Sequence, residues 1–207
     1  MQAYDVKKDR AGLYSPGRDF AVVDVPEMAF LVVDGHGDPN TEPAYRAAVE
    51  ALYTASYAAR AVARAALGRV HVVAPLEGLW TAADLAAFTT TRDKGAWDWT
   101  MMIAQPDWLT PAMVDEALAA ASRKKRAQTT LELVRFERYA EGRSVQVLHV
   151  GSYDDEGPTL ARLHGEYLPA HGLVPTGRHH EIYLSDPRRT EPARLRTVLR
   201  QPVAPAP

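Results

Sequence analysis

The chain of 207 residues contains no cysteine. That excludes disulfides, thiolate metal sites and cysteine nucleophiles. It also lacks an excess of either charge: 24 Lys and Arg against 26 Asp and Glu leave a net charge of -2 and a pI near 6.4. Such a balance gives no electrostatic pull toward nucleic acid or a membrane surface, and neither is expected as a partner. No apolar run approaches the roughly 20 residues that span a bilayer. The first twenty residues carry Lys, Arg and Asp where a signal peptide would carry an apolar stretch. A cytoplasmic location is expected. What is present suits a packed core: 46% of residues are hydrophobic and 24% charged, both near the globular average.

Residues 1–19 read as an extended, polar lead-in. Two strands follow, Phe20 to Val25 stopped by Pro26, and Met28 to Val33, which ends in the turn-rich Asp34-Gly35-His36-Gly37-Asp38-Pro39-Asn40. A helix over 41–66 takes Thr41 as its cap and Val49, Leu52, Ser56, Ala59 and Ala63 as its apolar face, and Gly68 ends it. Arg69 to Leu76 reads as a strand, Glu77-Gly78 as a turn, and Ala82–Phe88 as a short helix. In the strand Trp97–Ala104, residues Trp97, Trp99, Met101 and Ile103 share one face. Thr110 and Pro111 open a helix over 110–126, whose basic end Arg123–Arg126 complements the helix dipole. Strands at 131–138 and 143–150 are joined at Glu141-Gly142. A helix over 156–171 carries Leu160, Leu163, Tyr167 and Leu168 on one side, and a last strand covers His179–Leu184. The Pro- and Ala-rich tail is expected to fray after Val203.

The order of elements repeats. Leu31 to Asp38 leads from a strand through a Gly turn into a helix and another strand, and Val147 to Asp154 does the same. Two such units would form one α+β domain over 20–203, with halves of about 20–108 and 109–203, a pseudo-two-fold relation and a concave site at the seam. The competing reading is that strand-turn-helix units are common and the match accidental.

Several motifs, in order, carry a family resemblance: Asp34 to Asn40; Leu76-Glu77-Gly78-Leu79-Trp80; Trp97-Asp98-Trp99 with Gln105-Pro106-Asp107; Val145 to Tyr153; His179 to Pro187; and Arg196 to Val203. Together they resemble the GyrI-like (gyrase-inhibitor-like) small-molecule-binding family, in its stand-alone branch without a DNA-binding domain. The resemblance implies a tandem of two β-α-β-β units around a central cleft for planar, often cationic, compounds. Similar stand-alone proteins include hydrolases that open the cyclopropane ring of DNA-alkylating natural products. Multidrug sequestration or effector sensing without turnover is the alternative that the same resemblance implies.

Within that frame Glu181 is the first candidate. On the strand it shares a face with His179 and Tyr183, opposite His180, Ile182 and Leu184. A carboxylate on an apolar wall attracts a cationic ligand and accepts a proton from water. Its competing reading is a solvated strand-face glutamate. Tyr183 is placed as a donor to the oxygen that gains charge as such a ring opens. Trp97 and Trp99 are expected as a stacking wall, against plain core packing. Tyr53 and Tyr57, one helical turn apart, are weaker ligand-binding candidates, as are Tyr139, Phe136 and His179. No metal is expected, because His179 and His180 point to opposite faces and His36, His71, His149, His164 and His171 show no ligand spacing. No cofactor motif occurs: Gly35-x-Gly37 lacks the rest of a dinucleotide fingerprint, and no nucleophile elbow surrounds a serine. A monomer or weak homodimer is expected.

Overall fold

The structure, a computed structural model, describes residues 3–83, 93–124 and 129–207. It is a mixed α/β fold. The chain forms two compact units, one built from Met1–Asp9 and Met28–Tyr139, the other from Arg10–Glu27 and Ala140–Pro207. Among the described residues no helix is long and apolar enough to cross a membrane.

The lead-in is not extended. It forms two single-turn helices, α1 (Val6–Asp9) and α2 (Ala11–Tyr14). Asp5 accepts the Lys7 amide and starts α1, and Val6 is buried in the first unit. Tyr4 exchanges backbone hydrogen bonds with Val70 and Val72, and these replace the strand expected at 69–76 with one bridge at His71. Pro75 has no N–H to give a ladder, so strand pairing resumes only after it.

Strand β1 (Ala21–His36) is a single strand where two were expected. Pro26 is exposed and precedes the segment Ala29 to His36 that pairs with β3, so its missing N–H costs no bond there. Helix α3 (Pro43–Leu67) is capped by Glu42, whose carboxylate accepts the Ala44 amide, rather than by Thr41. Its alanine-rich face, Ala48, Ala51, Leu52, Ala55, Ala59 and Ala63, is buried. Glu77-Gly78 is not a turn but lies inside β2 (Leu76–Ala82), where Gly78 faces Met101 of β3 (Trp97–Gln105). The helix expected at Ala82–Phe88 falls largely outside the described residues. Thr110 caps α4 (Pro111–Ser122), which stops short of the expected residue 126; Lys125 and Arg126 lie outside the described residues.

The second unit contains the far half of β4 (Arg135–Val150), a single strand where a hairpin was expected. Gly142 takes φ 75, which bends the strand without reversing it. A helix follows in three parts: α5 (Gly157–Arg162), a π-helical turn (Leu163–Tyr167) and α6 (Leu168–Ala170). Leu163 and Leu168 are five residues apart and both fully buried. The Leu168 amide bonds the Leu163 carbonyl, and that wider turn keeps both leucines on the core face. They pack with Val145, Leu173 and Val203.

After β5 (Leu173–Pro175) and β6 (His179–Tyr183), the tail does not fray at Val203. It forms β7 (Arg196–Pro205), which pairs with β4, with β6 and, at its end, with β5. Thr197, Val198 and Leu199 are completely buried, and this apolar stretch outweighs the proline content.

Candidate functional site

Strand β6 separates its side chains as alternation requires. His180 and Ile182 are buried on one face, while His179, Glu181 and Tyr183 are partly buried on the other. Cross-strand partners share a face, so Thr197, opposite Tyr183, and Leu199, opposite Glu181, belong with the second group.

Glu181 retains 15% of its side-chain exposure. The Tyr183 hydroxyl donates to its Oε2 at 2.8 Å, and His179 Nε2 lies 3.7 Å from its Oε1. Burial pushes the Glu181 carboxyl up to about 7, against the opposing pull of the Tyr183 hydrogen bond and of His180. Burial, followed by the neighbouring His164 and His180, drives His179 down to about 3. It is therefore a neutral imidazole at neutral pH, and neither ring nitrogen has a hydrogen-bond partner among the described residues. His164, on the π-helical turn, is also held down by burial.

Three residues join this group without having been expected. The Tyr153 ring meets the Tyr183 ring edge to face at 5.6 Å. Its hydroxyl is pushed up to about 12 by burial and by the acidic Glu156, Glu181 and Asp186. Glu156 is 5% exposed, and its Oε1 has no partner among the described residues. Burial and the Glu181 charge raise its carboxyl strongly, with the Thr197 hydroxyl beside it opposing. Thr197 Oγ1 also lacks a partner of good geometry among the described residues. In the sequence Glu156 closes the run Asp154-Asp155-Glu156, which has the pattern of a solvated helix start and gives no sign of a buried acid.

The opposite face holds a different arrangement. Glu141 Oε2 accepts from His180 Nδ1 at 2.9 Å and from Arg200 Nη1 at 3.1 Å. Arg200, 2% exposed, also donates to Gln146 and to the Leu13 carbonyl, which anchors α2 to the sheet. Burial alone would raise the Glu141 carboxyl, but His180 and Arg200 together hold it down to about 2.

The tryptophans lie in the first unit. Trp99 is 2% exposed and packs edge on against Tyr45 of α3 at 5.3 Å. It also lies flat against Gly35, its cross-strand partner, where a Cβ would come within 2.0 Å of the indole ring. Trp99 is thus core, not a stacking wall. Trp97 is half-buried, beside Trp80 at 5.6 Å and with Lys94 5.8 Å over its ring, and it keeps an accessible edge. Tyr57 is exposed on α3, and Tyr53, Phe136 and Tyr139 are half-buried. Among the described residues no group of three His, Asp or Glu side chains could hold a metal ion.

Several solved structures are similar to this chain. An uncharacterized conserved protein from Listeria innocua is 38% identical, with a TM-score of 0.87, over 97% of this chain and 100% of that one. A hydrolase from Listeria innocua is 36% identical, with a TM-score of 0.83, over 97% and 100%. A hydrolase encoded by lin2189 from Listeria innocua is 35% identical, with a TM-score of 0.85, over 98% and 100%. No curated protein matches the chain. The GyrI-like small molecule binding domain matches residues 18–204, and the chain belongs to that family.

Proposed function

We propose that this protein binds bulky, planar and often cationic aromatic molecules, and hydrolyses those that carry an electrophilic cyclopropane, as a detoxifying enzyme. One observation carries the reading. Glu181 is a carboxyl held near neutrality, largely buried, with a phenol hydrogen-bonded to it. A general base works best when its pKa lies near the operating pH. The similarity to two Listeria innocua hydrolases supports turnover over mere binding.

In the proposed step the Glu181 carboxylate takes a proton from water as the water oxygen bonds to the ring methylene. The strained C–C bond breaks, and its electron pair passes into the conjugated dienone to leave a phenolate. Tyr183 gives its proton to the phenolate and regains one from Glu181. The product is substrate plus one water, and both residues return to their starting states. The partly buried surroundings of Glu181 limit competing bulk water and strengthen its electrostatic hold on charge. The burial of Trp99 removes it from a stacking role.

The test is mass-spectrometric turnover of a cyclopropane-bearing DNA alkylator by the wild type and by Glu181→Gln. The wild type is expected to form the water adduct over many turnovers. The variant should lose turnover while still quenching tryptophan fluorescence with neutral aromatic ligands. Quenching by the wild type without product would leave a sequestering protein and remove the base role from Glu181.

A further inference from the structure

Glu156 has no part in the step just described, yet its position is unusual. It is the residue immediately before α5, where a carboxylate would normally turn outward to cap free amides. It makes no cap bond, and its side chain is instead drawn into the interior. There it ends beside the Thr197 hydroxyl, with one carboxyl oxygen unpartnered among the described residues. Thr197 faces Tyr183 across the sheet, and Tyr183 donates to Glu181. Tyr153, three residues before Glu156, covers the Tyr183 ring.

The charged and titratable groups around the pair are Tyr153, Asp154 and Asp186 from the adjoining turns, and His179, His180 and Tyr183 from β6. Those acting on Glu156 itself are the acidic Glu181 and Asp154. An ionised carboxylate with an unpaired oxygen and no counter-ion among the described residues is strongly disfavoured in such a place. A neutral carboxylic acid is not.

We infer that Glu156 is the second carboxyl of this site, a positioning residue that stays protonated beside Glu181 and holds the pair at one negative charge. The inference rests on Glu181 being the group that takes up a proton. With Glu156 neutral, Glu181 remains the single basic carboxylate of the pair, the one that accepts the proton. The proton removed from water then neutralises the site completely, so no second charge opposes the transfer. Two carboxyls in close company titrate as a pair, and the proton that one of them keeps is part of the resting state.

The experiment follows the protons directly and needs no substrate. Wild-type protein labelled with carboxyl-¹³C glutamate is titrated by NMR from pH 5 to pH 10, beside Glu156→Gln and Glu181→Gln. The expected wild-type result is one glutamate carboxyl resonance still at the protonated position at pH 8. It should be missing in Glu156→Gln. In Glu181→Gln it should persist but titrate at lower pH, because the neighbouring charge is gone. If every glutamate carboxyl of the wild type is ionised at pH 8, the inference falls. It also falls if the protonated signal survives in Glu156→Gln. Should Glu156→Gln fail to fold, Glu181→Gln decides alone: a signal that does not move there does not belong to a neighbour of Glu181. A protonated pair found in a protein without turnover would overturn the base role of Glu181 and leave this assignment standing.

Discussion

Replacing Glu141 by Gln keeps the volume and removes one charge at the centre of the second unit. Arg200 would then be a guanidinium at 2% exposure without its counter-ion, still bound to Gln146 and the Leu13 carbonyl. Removing one partner from a buried ion pair costs about 3–5 kcal/mol, because the other charge stays behind desolvated. The pH dependence gives an independent figure. Glu141 is held at about 2 against an ordinary 4.5, a gap that corresponds to about 3 kcal/mol. The folded value is the depressed one, so this stability is fully present above pH 4.5 and is lost as the pH falls toward 2. The assay is urea unfolding followed by circular dichroism, at pH 7 and at steps down to pH 3. The variant is expected to be less stable than wild type by about 3 kcal/mol at pH 7, and the difference should shrink below pH 4.5. Combining Glu141→Gln with Arg200→Met should restore part of the loss, since no uncompensated charge remains. A loss under about 1 kcal/mol at pH 7, or a difference that stays constant down to pH 3, would refute the account of this network.

Two further outcomes are expected. Gly35→Ala places a methyl 2.0 Å from the Trp99 ring, so the indole must leave its packed position against Tyr45. A loss of about 1–3 kcal/mol or more follows, readable as a lower Tm with altered tryptophan emission, and an unchanged Tm would show that the ring has room. For the proposed hydrolysis, Glu181 must be ionised to act and is held up to about 7. Its kcat/KM should therefore climb as pH rises through 7, and a flat profile from pH 6 to 8 would take Glu181 out of the rate-determining step.

Much of the framework was legible because it depends on local pattern. The alternation of His179 to Tyr183 places Glu181 and Tyr183 together, and the helix start at Thr110-Pro111 and the stop at Gly68 rest on backbone chemistry that any sequence displays. What failed was punctuation that tertiary structure overrides. Pro26 reads as a stop, but it lies before the part of its strand that pairs with β3. Glu141-Gly142 reads as a turn, but the Glu141 carboxylate is committed inward to Arg200, fifty-nine residues away. The tryptophan wall failed for a similar reason. Alternation puts Trp97 and Trp99 on one face, but whether that face is open depends on α3, whose Tyr45 covers Trp99. Glu156 left no trace in the sequence, because only the fold turns a helix-start acid inward.

The second unit therefore puts glutamates to opposite uses within one small sheet and its covering helix. Glu141 accepts from His180 and from the Arg200 guanidinium and is held low, so it is ionised at neutral pH. Glu181 and Glu156 meet phenols, a hydroxyl and a neutral imidazole, and both are held high. Residue type does not separate these roles, since all three are glutamates at least partly withdrawn from water. What separates them is whether an Arg or a protonatable His stands within hydrogen-bond reach. His180 and His179 are sequence neighbours that face opposite ways, and they make the point directly: one bonds Glu141 and helps to fix an anchor, while the other lies 3.7 Å from Glu181 and gives it no hydrogen bond. An environment that pushes titratable groups apart in this way assigns the acid and base roles of a site. Here the face of the sheet that carries Arg200 holds the ion-paired anchor, and the face that carries Tyr183 holds the carboxyls raised by burial.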